Sequence, residues 1–175
     1  DLELPVCFHI LTSDDCGVKE VLAPKRGHPA NGFMNIIRGV QDVMGVFLFG
    51  GVFEQNPNLK MVVAEGDAGW IPHYKYRADH AIKRLGSAVG SKLTKMPSEY
   101  IAKNISFTFQ DDVTAYQNLS VVDSGCLLWA NDYPHTDASW PHSQQILNEQ
   151  MGHLTTAQQN ACIHDNVKKL FNLPV

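Results

Sequence analysis

The sequence predicts an α/β protein of about four β/α units, in which a parallel sheet is covered by helices. Two observations predict it. Four short segments, Leu4 to Ile10, Leu59 to Ala64, Asn104 to Phe109 and Cys126 to Ala130, are nearly continuous in apolar residues. Such runs belong in parallel strands buried on both faces, whereas a half-exposed antiparallel strand alternates. Between them lie stretches with helical spacing or helix-boundary residues, and that alternation marks an α/β architecture. A complete (β/α)8 barrel takes about 200 residues or more, so four units in 175 residues amount to half of one. The length fits a single domain, 1–175, around one core.

The first strand, Leu4 to Ile10, carries His9 near its end. Leu11 to Gly32 is a Ser-, Asp-, Gly- and Pro-containing connection, and connections this long are often functional. From Phe33 to Phe53 apolar residues recur at Ile36, Ile37, Val40, Val43, Met44, Phe47 and Leu48, which predicts one core-facing helix. Asn56-Pro57-Asn58 stops it. The second strand, Leu59 to Ala64, ends in Glu65 and the turn Gly66 to Trp70. Pro72 suits the first turn of a helix reaching about Leu85, with Gly86 as its stop. A polar connection leads to the third strand, followed by Gln110-Asp111-Asp112 and a short helix from about Val113 to Val121. The fourth strand runs into Asn131 and Asp132. Helices from about Pro141 to Met151 and Thr156 to Phe171 close the chain. The last has a capping-box pair, Thr155 with Gln158, and an apolar face of Ile163, Val167, Leu170 and Phe171.

Composition narrows the function classes. Fourteen basic against eighteen acidic residues, net charge −4, leave no electrostatic footprint for nucleic acid. No apolar run reaches the 18 or so residues of a membrane span. The four cysteines, Cys7, Cys16, Cys126 and Cys162, have neither disulfide-framework nor C-x-x-C spacing, so reduced thiols and a cytoplasmic location are expected. The chain opens on Asp1 without an initiator Met and reads as a portion of something longer.

Chemistry in parallel α/β proteins gathers where the strands end, because the loops leaving that edge share one rim. The residues there are His9, Glu65, Gln110 with Asp111 and Asp112, and Asp132 with His135. An imidazole converging with carboxylates is a donor set for a divalent metal, and equally a general acid–base set. Each residue also has a plain structural reading. His9 would serve as a hydrogen-bonded strand-end residue and Asp132 as a turn-former. Asp111 and Asp112 are best read as charging the first turn of a helix. Glu65, between an apolar strand and a glycine turn, needs a partner or a cleft.

Four segments together, "LPVCFHI" (Leu4 to Ile10), "GGVFEQNPNLKMVVAEGDAGWIP" (Gly50 to Pro72), "KMPSEYIAKNISFTF" (Lys95 to Phe109) and "NDYPHTDASWPHS" (Asn131 to Ser143), resemble the C-terminal half of the amidohydrolase-related metal-dependent hydrolases. That group includes aminocarboxymuconate-semialdehyde decarboxylase and γ-resorcylate decarboxylase. The resemblance implies a TIM-barrel fold, here its C-terminal half beginning at the fifth strand. It implies a metal held by a His-x-His pair on the first strand, a fifth-strand histidine matched by His9, and a last-strand aspartate matched by Asp132. None of the eight histidines forms a His-x-His pair. Glu65 stands where the decarboxylases of the group usually carry a histidine.

The expectation is a metal-dependent hydrolase activating water on a divalent ion, zinc foremost and manganese as an alternative, with a small-molecule substrate. Asp132 would be metal ligand and general base, while Glu65 or His135 would shuttle the proton. The alternative reading is a non-oxidative decarboxylase, a carbon–carbon lyase of a small carboxylic acid. A third is a non-catalytic half-barrel that needs a partner half. Open strand edges further predict a homo-oligomer or pairing with a missing N-terminal half.

Overall fold

The computed structural model describes residues 3–12 and 27–174. Most of the connection expected from Leu11 to Gly32, and Cys16 within it, lies outside the described residues. Four strands form one sheet: β1 (Val6–His9), β2 (Met61–Ala64), β3 (Ile105–Phe109) and β4 (Leu127–Trp129). All pairings are parallel and the spatial order is the chain order, β1-β2-β3-β4. A doubly wound sheet reverses its strand order at a switch point. An unreversed run of parallel strands is instead an arc of barrel wall, as the unit count predicts.

Helices cover one face. α1 (Pro29–Met34), α2 (Arg38–Phe49) and α3 (Val52–Gln55) join β1 to β2; α4 (Ile71–Leu85) and α5 (Pro97–Asn104) join β2 to β3. The short α6 (Val113–Gln117) and α7 (Leu119–Val122) precede β4, and α8 (Ser143–Met151), α9 (Thr156–Asn160) and α10 (Asn166–Leu170) follow it. Met61, Val63, Ile105, Phe107, Phe109 and Leu127 point into this layer, each no more than 2% exposed, and meet Val40, Met44, Leu48, Phe53, Ile101 and Tyr116. Each such side chain contributes about 1.5–3 kcal/mol of burial. Strand alternation turns Cys7, His9, Val62, Ala64, Ser106 and Thr108 to the opposite face.

Three helix expectations are corrected. The segment from Phe33 to Phe53 is not one helix: α1 ends at Met34, and α2 stops at Gly50-Gly51, where Gly51 takes φ +74°. Left-handed backbone costs glycine little, so the pair breaks a rod that hydrophobic spacing alone would continue. Between Thr156 and Phe171 a single π turn, Ala161–Asp165, interrupts the helix. It rotates the apolar face so that Cys162 is buried while Ile163 is 40% exposed. The connection before β3 holds a helix, α5, that the sequence reading passed over. Its signals were Pro97 at the first helical position and Glu99, whose Oε2 accepts the Met96 N–H at 2.8 Å.

β1 departs from the expectation of strands buried on both faces. Val6, Cys7 and His9 are exposed, and only Phe8 turns inward, edge-on to Phe47 at 5.3 Å. The reason is topological, since among the described residues β1 has β2 on one side and no strand on the other. Cys7, Cys126 and Cys162 are free thiols. Among the described residues no helix is long and apolar enough to cross a membrane.

Candidate functional site

Because the strands are parallel, all four discharge at one edge. His9 is the last residue of β1, Glu65 follows β2 directly, Gln110 follows β3, and Asp132 stands three residues beyond β4. Glu65 and Asp132 both take φ +58°, and Asp67 takes φ +54°. Left-handed backbone is unfavourable for residues with a Cβ by about 1–2 kcal/mol, so surrounding contacts must hold it. The Glu65 N–H donates to Thr108 Oγ1 at 2.8 Å, and the Trp70 indole N–H donates to the Gly66 carbonyl at 2.6 Å. Beyond β4, the Asn131 side chain accepts the Tyr133 N–H at 3.1 Å and the Asn131 carbonyl accepts the Ser139 N–H at 3.0 Å.

His9 and Glu65 meet. The imidazole Nε2 lies 2.8 Å from Glu65 Oε1, and Nδ1 lies 2.7 Å from the Ile10 carbonyl oxygen. A carbonyl can only accept, so Nδ1 carries a proton. Neutral His9 would then present a lone pair to a carboxylate, which is unfavourable unless a second proton or a cation lies between them. Burial alone would lower the His9 pKa, but the Ile10 carbonyl and Glu65, with the charge of Asp132 behind, hold it above its ordinary value.

Asp132 is the least satisfied group on the rim. Its side chain is 16% exposed and Oδ2 is buried without a hydrogen bond. His135 Nδ1 approaches Oδ2 to 3.3 Å, ion-pair range without hydrogen-bond alignment, and the His135 ring is largely exposed. Burial raises the Asp132 pKa, and contact with the Glu65 carboxyl raises it further, against the opposing pull of His135. His9, Glu65, Asp132 and His135 thus form one connected row. Two crowded carboxyls, a buried oxygen without a donor and an imidazole nitrogen facing a carboxylate are a donor set for a divalent cation. Among the described residues no group of three or more His, Cys, Asp or Glu is placed to hold a metal.

Two acids have roles beyond the sequence reading. Asp112 caps α6 as expected, its Oδ1 accepting the Ala115 N–H at 3.2 Å and the Thr114 hydroxyl. Its Oδ2 also accepts the Ala68 and Gly69 N–H groups, at 2.8 and 2.6 Å, anchoring the turn that presents Glu65. Asp67, passed over as a turn residue, is pushed up to about 6 by burial, then by the charges of Asp112, Asp137 and Asp111. The signal for Asp112 was four acids and a glycine turn on adjacent loops. Asp111 lies apart from the row and accepts the Gln150 side-chain amide. Away from the row, His80 stacks on Tyr76 and His164 pairs with Asp165.

A sequence model of the amidohydrolase family matches residues 1–173. No curated protein sequence matches the chain. Among solved structures, the chain is similar to a 5-carboxyvanillate decarboxylase from Sphingomonas paucimobilis, at 20% identity and TM-score 0.77, covering 98% of this chain and 50% of that one. An amidohydrolase from Mycobacterium avium subsp. paratuberculosis gives 20% identity and TM-score 0.77 over 96% of this chain and 42% of that one. A dihydroxybenzoic acid decarboxylase from a Polaromonas species, with bound manganese and the inhibitor 2-nitroresorcinol, gives 14% identity and TM-score 0.69 over 98% and 50%. The chain therefore spans about half the length of these structures.

Proposed function

This chain belongs to the amidohydrolase family, and from that premise we propose that it supplies the second half of a divalent-metal site for non-oxidative decarboxylation of a small carboxylic acid. The observation that carries the reading is the row His9–Glu65–Asp132, in which His9 Nε2 meets Glu65 Oε1 at 2.8 Å and the buried Asp132 Oδ2 accepts no hydrogen bond. His9 Nε2 and Asp132 Oδ2 would hold the cation, and remaining ligands would come from another part of the protein or a second copy. When bound, such an ion draws electrons from a substrate oxygen and lowers the pKa of water towards about 7. Zinc and manganese both accept this donor set, and the manganese in a similar structure supports trying both.

The proton chemistry belongs to the chain. A cation beside Asp132 would favour its carboxylate form, and Glu65, 2.8 Å from His9 Nε2, would be the carboxyl left to deliver a proton. Glu65 then stands as the acid that protonates the substrate carbon as carbon dioxide leaves. His135, exposed beside Asp132, would orient that carboxylate or meet the substrate's own acid group. Hydrolysis is the second reading, with Asp132 as general base towards water; the same residues would serve it, and the decarboxylases among the similar structures support testing decarboxylation first.

The test is carbon dioxide release from a panel of hydroxybenzoic acids, with manganese or zinc, beside hydrolysis of amide and lactone substrates. Decarboxylation lost in Asp132→Ala and reduced at least about a hundredfold in Glu65→Gln is the expected result. Hydrolysis without carbon dioxide release would favour the second reading. Full activity in Asp132→Ala would remove this row from the chemistry.

A further inference from the structure

The opposite end of the sheet carries a second polar centre. An open cleft of about 1180 Å³ lies at the N-terminal ends of the strands and is lined by Lys60, Lys103 and Lys169. The lysines come from three places: the segment entering β2, the last turn of α5 and the last turn of α10. Lys60 is half-buried, and its ammonium donates to the Lys103 carbonyl at 2.6 Å. Among the described residues every ion pair involves a histidine, so none of these lysines is paired with a carboxylate.

The bland account is that each lysine serves a helix C-terminus. It falls short in charge. A helix end carries roughly half a negative charge, so α5 and α10 together offset about one of three ammoniums, and Glu3, the one acid lining the cleft among the described residues, offsets another. Among the described residues a positive surplus remains. Carboxylates are not scarce in a chain of net charge −4; Glu65, Asp67, Asp112 and Asp132 gather at the other end of the sheet. Burial, then the charges of Lys103 and Lys169, press the Lys60 pKa below its ordinary value, the direction that a bound anion would reverse.

We propose that this cleft binds a small phosphate-type oxyanion through Lys60, Lys103 and Lys169. Point charges on flexible stems around one cleft suit the tetrahedral, multiply charged phosphate. The side-chain amides of Gln55 and Asn58 line the same cleft and add neutral donors. The site is separate from the rim and stands whether or not the rim is catalytic.

The metal-free chain, titrated calorimetrically with inorganic phosphate and separately with pyrophosphate, tests it. Saturable binding of one anion per chain is expected. Lys103→Gln and Lys169→Gln, both at exposed positions and compatible with folding, should each weaken it about tenfold or more, and His9→Ala should leave it unchanged. Tighter binding of pyrophosphate identifies a diphosphate-bearing ligand, and tighter binding of phosphate a single phosphate group. No saturable binding of either anion, binding that survives the double lysine variant, or binding abolished by His9→Ala overturns the proposal.

Discussion

Asp132 takes left-handed backbone, which an aspartate in a turn tolerates, but it also buries an oxygen that accepts no hydrogen bond, which costs about 1–3 kcal/mol and which a turn does not explain. Asp67 allows a sharper test by pH. Its carboxyl is raised to about 6 in the folded chain against about 3.9 when unfolded, so folding binds the proton more tightly. The native state is therefore favoured at acid pH, and that advantage is lost as pH rises through about 6. Asp67→Asn should raise the melting temperature above pH 6 and leave it nearly unchanged below about 4; an equal effect at both would contradict the burial argument. His9, Glu65 and Asp132 were legible in the sequence because each ends an apolar run, where a charge needs a reason. Asp67 and the anchoring by Asp112 were not, because their environment is made by two loops more than forty residues apart in sequence.

Elements place those residues through loop-to-loop ties. The turn after β2 is clamped on the loop after β3 by Asp112, and Gly69 lies so close that an added Cβ would overlap Thr114 Oγ1 and come within 2.7 Å of its Cβ. Gly69→Ala should cost about 1–3 kcal/mol in denaturant unfolding, and Thr114→Ala should recover only part, since its Cβ still crowds the turn. Full recovery would show that the hydroxyl alone sets the contact. Strand positions were readable to within a residue or two, because continuous apolar runs report burial directly. Helix boundaries were less readable: hydrophobic spacing runs on through Gly50-Gly51, and the π turn at Ala161–Asp165 leaves no mark in residue type.

Across the whole molecule, the unreversed parallel order and the family match make the sheet part of a barrel wall. The four-unit count was legible in the sequence; the exposure of β1 was not, since it depends on the strand's place at the edge of the described sheet and not on its own residues. Among the described residues β1 and β4 each pair on one side only, and unpaired edges favour association. Sedimentation velocity over a concentration series should therefore show the chain self-associating, and a monodisperse monomer throughout would count against the open-edge reading.

The most direct measurement of the central claim is a manganese titration followed by the electron paramagnetic resonance of the free ion, on the chain and on its His9→Ala and Asp132→Ala variants. The expected result is saturable uptake of one ion per chain, weakened at least about tenfold in either variant. Uptake unchanged in both variants, or none by the unaltered chain, would contradict the assignment of His9 and Asp132 as partners on one cation.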